Sequence, residues 1–291
     1  MPDPHRNRRD LTITLAITAG YCLVEVIGGF LTNSLALLSD AGHMFADVGA
    51  LGISLFAMRL AQLPPTANQT FGYHRVEILA AFVNGLALWL IVGLIWREAS
   101  TRVLDPPAVH SVGMIAIAAV GLGVNLLSML MLHRSQAESL NVRAAFVHVL
   151  GDALGSVGAI VAGIAMLTRG WYLADPLVSA GIGLLILASS WGIVRESVEI
   201  LMQGTPREMR VADIERCLHE IADVLEVHDL HVWTLTSGRY LLSVHLVVCG
   251  DDARRRVIDA AQTRLRERFG ITHTTVQVDS ENECTEEFRG H

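Results

Sequence analysis

No lysine occurs in this chain, so all 22 of its basic residues are arginine. They are outnumbered by 29 acidic residues, the formal net charge is −7, and no segment concentrates positive charge on one face. That balance excludes a nucleic acid as partner. Cysteine is scarce too. Cys22, Cys217, Cys249 and Cys284 are scattered, with no Cys-x-x-Cys pair, which argues for free thiols against a disulfide framework. Of the eight prolines, Pro64-Pro65, Pro106-Pro107 and Pro176 fall between apolar segments, where a missing donor is tolerated.

What is abundant is apolar. Hydrophobic residues make up 52% of the chain, and the mean hydropathy of +0.43 points to several membrane-spanning helices. Six apolar segments can be drawn, at about 11–31, 35–60, 76–99, 112–132, 143–167 and 177–201. Each is near or above the ~20 residues that a helix needs to cross the hydrocarbon. The first follows a basic "HRNRRD" start, as a signal peptide would. It is longer than a signal's apolar region, contains Glu25 and leads straight into a second span, so it reads as a retained helix. Gly151, Gly155 and Gly158 mark a face where helices pack closely. An even number of spans puts both termini on one side. Arg6, Arg8, Arg9, Arg59, Arg75, Arg134 and Arg143 fall on that side and Arg97, Arg102 and Arg169 on the other, which places the termini in the cytoplasm.

After Gly204-Thr205-Pro206 the composition changes: residues 205–291 carry 11 Arg against 16 Asp plus Glu. The reading is thus a membrane α-helical domain, 1–204, with six transmembrane helices, followed by a soluble cytoplasmic domain, 205–291. The tail reads helix (about 207–223), strand (227–236), strand (239–248), helix (251–269), strand (274–279). That is an αββαβ, α+β pattern of the ferredoxin- or metallochaperone-like kind, expected as helices on one face of a small antiparallel sheet. The Ser237-Gly238 turn joins the central strands. Leu242, Val244, Leu246 and Val248 alternate with Ser243, His245 and Val247, and His273, Thr275, Gln277 and Asp279 share the face opposite Val276 and Val278.

Ionisable residues at bilayer depth are costly, yet "DAGHMFADVGA" sets Asp40, His43 and Asp47 on one helical stripe. "FVHVLGDALG" in the fifth span repeats the pattern with His148 and Asp152. A pair at i and i+4 lies on one helix face with Cβ atoms about 6 Å apart. Two such helices packed together offer two imidazoles and two carboxylates, a set suited to tetrahedral Zn²⁺, and the ion neutralises the carboxylates that hold it. One copy is equally well read as a structural hydrogen-bonded pair; two copies in separate spans favour metal. Asp40 reads equally as a cap or hydrogen-bonding residue and as a functional one. Asn84 and Asn125 read as interhelical hydrogen-bonding residues, Glu77 as reaching water near a span end, and Glu25 as a proton relay or a paired group.

"SLALLSDAGHMFADV", "TFGYHRVEILAAFVNG", "HVLGDALGSVG" and "VHDLHVWTLTSG" resemble the signature stretches of the cation diffusion facilitator family, in its zinc-transporting branch, from about Leu11 to Asp279. The resemblance implies a homodimer in a membrane, here the inner membrane of a bacterium, that exports Zn²⁺ in exchange for protons. It puts the transport site on His43, Asp47, His148 and Asp152. In the tail it implies a metal site at His228, His245 and Asp279. Relatives complete that site with a cysteine pair; this chain has Cys284 alone. His74 and His273 match a further site between membrane and tail in some relatives. The loop "HRSQAESLNVR" holds only His133, against the His-rich loop frequent in the family, so a zinc-collecting role does not carry over.

Covalent chemistry is not required, and no His-Glu-x-x-His motif supplies a metalloenzyme's base, so the chain is read as no enzyme. Two alternatives remain open at this point: a membrane metal sensor or scaffold without flux, and a transporter whose main substrate is Co²⁺, Cd²⁺ or Ni²⁺.

Overall fold

In hydrocarbon every backbone donor and acceptor must be satisfied within the segment, so long apolar runs fold as helices. The computed structural model describes residues 19–133, 140–236, 238–250 and 253–280, without the side chains at 51, 54, 55, 58, 132, 133, 140–145, 147, 148 and 280. The first helix is described over Ala19–Thr32 (α1). It is followed by α2 (Leu35–Ala61), α3 (Arg75–Leu104), α4 (Ser111–His133), α5 (Leu140–Arg169) and α6 (Ala174–Leu201). Among the described residues, four helical stretches are long and apolar enough to cross a membrane: Arg75–Leu104, Ser111–Met131, Val149–Arg169 and Ala174–Leu201. With 27 residues, α2 is about 40 Å long. Pro176 lies inside the first turn of α6 rather than between segments, a position whose N–H has no intrahelical partner to lose.

The described residues divide into two compact units, those within 19–53 and 83–193, and those within 54–82 and 194–280. The core of the first is built from small and branched side chains, including Ala36, Leu37, Val92, Met114, Ala118, Ala159, Ala162 and Ile186. Small residues let helices approach where no hydrophobic effect drives them together. Large apolar side chains such as Phe30, Phe45, Leu90, Leu130 and Leu184 face outward, as a lipid-facing surface requires. Asp175 fixes the start of α2 from α6. Its buried carboxylate accepts hydrogen bonds from Ser34 Oγ (2.7 Å), Leu35 N (2.8 Å) and Ala36 N (3.1 Å). Arg102 stands 3.7 Å away.

The second unit holds α7 (Val211–His219), β1 (Val224–Thr236), β2 (Arg239–Val248), α8 (Arg254–Phe269) and β3 (His273–Ser280). The strand order is β1-β2-β3. The hairpin pairs antiparallel, with His228 opposite His245 and Gly238 at φ 71° in its turn. In contrast to the expected antiparallel sheet, β3 runs parallel to β2, setting Val247 beside Asp279. The reason is α8: a helical crossover returns the chain to the end of the sheet where β2 began. Gly270, at φ 67°, ends that helix in a left-handed cap, donating to Arg266 O while Ile271 N donates to Leu265 O. The alternation is as expected: Leu242, Val244, Leu246 and Val248 join Ile214, Leu218, Val257, Ala261 and Leu265 in one core, with Val276 and Val278 packed on it.

Candidate metal centres

In α2, His43 Nε2 lies 3.6 Å from Asp47 Oδ2, one helical turn on, so both side chains point to one spot. Asp152, in α5, is only 3% exposed. His148 lies one turn before it in the same helix, but its side chain is outside the described residues. Asp40 ties α2 to α5: it is 5% exposed, and a Cβ on Gly155 would sit 3.4 Å from its Oδ1. Gly155 is thus in close contact with the Asp40 carboxylate. Glu25, fully buried in α1, forms an interacting group with Tyr21 and Asp40, and Asp152 acts on both carboxylates. Several carboxylates held together in a dry interior need cations, either protons or a metal ion, to balance them.

Asn125 is 3% exposed. Glu77 does not simply reach water: it accepts a hydrogen bond from Thr236 Oγ1 at 2.8 Å.

The cytoplasmic unit gathers a second set of ligands. His228 Nε2 and His245 Nδ1 stand 3.9 and 3.4 Å from Asp279 Oδ2, and the two imidazoles meet edge to face at 5.3 Å. The ligand atoms of these three residues lie within 4.8 Å of one another, and all three side chains are partly exposed. Among the described residues this is the one group of three or more metal-binding side chains. Cross-strand pairing brings the histidines together, and the parallel β3 brings Asp279 beside them. Gln277 Nε2 donates to Asp279 Oδ1 at 2.9 Å, which aims the carboxylate.

Asp229 is the residue that sequence reasoning missed. Regular alternation would turn it away from His228, but the ladder is irregular between His228 and His231, and Asp229 adopts φ 50°. Its Oδ2 comes within 3.6 Å of His245 Nε2, while its Oδ1 meets His231 Nε2 at 2.8 Å. The hydrogen bond from His231 holds its carboxyl below the ordinary carboxylate range. Asp229 thus lies on the side of the His245 ring away from Asp279, where a carboxylate would orient that ring if it held a metal.

His74 and His273 are engaged otherwise. Arg239 Nη1 lies 2.8 Å from His74 Nε2, and His273 packs edge-on against Phe71 at 5.8 Å. Neither belongs to a group of three donors among the described residues. Cys284 is outside the described residues.

Two family models match the chain: the cation efflux transmembrane domain over residues 11–202, and the cytoplasmic domain of cation efflux proteins over residues 206–281. The chain is 45% identical over 283 residues to the cadmium, cobalt and zinc/H(+)-K(+) antiporter of Bacillus subtilis, a match covering 94% of this chain and 90% of that protein. It is 43% identical over 275 residues to the zinc transporter ZitB of Escherichia coli, covering 94% of this chain and 88% of that protein. Among solved structures, the metal-bound C-terminal domain of the CzcD transporter from Cupriavidus metallidurans is 33% identical and matches with a TM-score of 0.24, over 24% of this chain and 99% of that one.

Proposed function

The chain belongs to the cation diffusion facilitator family, and on that premise we propose that it exports Zn²⁺ from the cytoplasm in exchange for protons, holding the ion at His43, Asp47, His148 and Asp152. Family membership makes it a divalent-metal efflux antiporter, an integral membrane protein with a cytoplasmic C-terminal domain, and not an enzyme. The observation that carries the finer reading is the duplicated His-x-x-x-Asp pair, one copy in α2 and one in α5. Two imidazoles suit Zn²⁺ better than Mn²⁺ or Fe²⁺, and two carboxylates match its charge.

Exchange follows from competition. An imidazole binds metal only when neutral and titrates near pH 6.5. Facing the more acidic outer side, the site takes up protons and releases zinc; facing the cytoplasm it does the reverse. Alternating access couples the two fluxes. We place the transport domain at 1–204 and read 205–291 as a metal-sensing, dimer-forming tail, with Zn²⁺ at His228, His245 and Asp279 in a homodimer of an inner cell membrane.

The preassembled tail cluster favours one rival, a sensor that binds metal without flux. Counterflow separates the two. Purified protein in liposomes should move Zn²⁺ and H⁺ in opposite directions, and zinc uptake into an acidic lumen should collapse with a protonophore. Zinc binding without flux would overturn the transport reading. Flux indifferent to the pH gradient would overturn proton coupling.

A further inference from the structure

We propose that a cavity beside the start of α3 binds the phosphate of an anionic lipid headgroup through Arg75. The cavity, about 270 Å³, is lined by Asn68, Gln69, Phe71, Arg75, Gln203 and Trp233 among others. Arg75 opens α3, and its Nε is buried without a hydrogen-bond partner. Among the described residues its guanidinium has no ion pair either.

Arg75 is partly exposed and keeps its charge, so with its Nε buried and no ion pair among the described residues it attracts an anion. The walls supply none. Asn68, Gln69 and Gln203 are amides and Thr70 a hydroxyl, groups that donate to a phosphate oxygen but leave the cation unbalanced. Glu77, two residues on, is not among the lining residues, and its Oε2 accepts from Thr236 Oγ1. Among the described residues, the cavity lining holds no carboxylate. A planar guanidinium flanked by amides matches two phosphate oxygens.

The lipid source follows from position. Arg75 stands at the first residue of a membrane-spanning helix, and Trp233 and Leu235, in the same wall, come from β1 of the cytoplasmic domain. The site therefore opens at the cytoplasmic surface, where anionic lipids concentrate phosphate at the depth of a span's end. Phe71 and Trp233 suit the boundary between headgroup and acyl chain.

The test uses the full-length protein, delipidated in detergent, with melting midpoint and native mass spectrometry as readouts. Phosphatidylglycerol should raise the midpoint more than phosphatidylcholine does, and Arg75→Gln should weaken retention of phosphatidylglycerol about fivefold. Gln203→Glu supplies an internal anion; it should abolish the lipid preference without lowering the midpoint, which guards against a folding defect in the first variant. Equal response of the parent to both lipids would overturn the proposal, as would a preference that survives in both variants. Protection by inorganic phosphate but not by phosphatidylglycerol would overturn the lipid source. Loss of dimer in Arg75→Gln with unchanged lipid retention would give the arginine to a carboxylate of a second copy instead.

Discussion

Replacing Asp279 by Asn should weaken zinc binding in the tail far more than its size suggests. The cluster is nearly preorganised: donor atoms of tetrahedral zinc lie ~3.4 Å apart, and Asp279 Oδ2 already stands 3.4 Å from His245 Nδ1 and 3.9 Å from His228 Nε2. Little rearrangement is needed, so most of the ligand-bond free energy appears as affinity. A four-ligand structural zinc site is worth roughly 10–16 kcal/mol, or about 3 kcal/mol for each ligand. Asp279→Asn also removes a negative charge, so the loss should be at least about 100-fold in Kd. Asp229→Asn acts only through His245 and should cost about 10–100-fold. Both belong in an Asp47→Ala, Asp152→Ala background, so that the intramembrane pair does not contribute, with zinc titrated against a chromophoric chelator. The pH dependence should sharpen the distinction. Asp229's carboxyl is held low by the His231 hydrogen bond, so its stabilising contribution is present above the unfolded carboxylate value and is lost only as pH falls through the lowered one. Metal release at a pH above that fall therefore does not come from protonating Asp229. A Kd for Asp279→Asn within threefold of the parent would refute this reasoning and put the site elsewhere.

Three further outcomes are expected. Asp152→Ala leaves the transported ion one ligand and one charge short; cells expressing it should lose zinc tolerance although the protein still inserts, and full tolerance in that strain would remove Asp152 from the site. His43→Asp should keep zinc transport and gain cadmium transport, because a carboxylate can bind bidentately and admit a larger ion; flux ratios in proteoliposomes decide, and an unchanged zinc-to-cadmium ratio moves selectivity to other residues. Asp175→Ala strands three donors at the start of α2 and leaves Arg102 without its buried neighbour, so it should lower stability by about 3 kcal/mol, read as a fall in melting midpoint in detergent.

What chain order alone determined was whatever depends on local periodicity and solvent. The apolar runs had to become helices because hydrocarbon leaves the backbone no other partner, and α2 to α6 begin and end within a few residues of where composition put them. The spacing of His43 with Asp47 places both on one helix face whatever the rest of the chain does. Alternation in β2 likewise decided which residues enter the core. Pairing lies beyond such rules. Alternation says which face a residue takes, not the edge or direction in which its strand docks, so β3 could join parallel to β2 only because α8 carries the chain back. A bulge, not a pattern, turned Asp229 toward His245. Asp175 reaches the start of α2 across 140 residues of chain, and Arg75 meets a wall to which two distant segments contribute, one with Gln203 and one with Trp233 and Leu235. These are meetings of groups whose positions are set by packing, and free energy from packing exists only once the tertiary structure has formed.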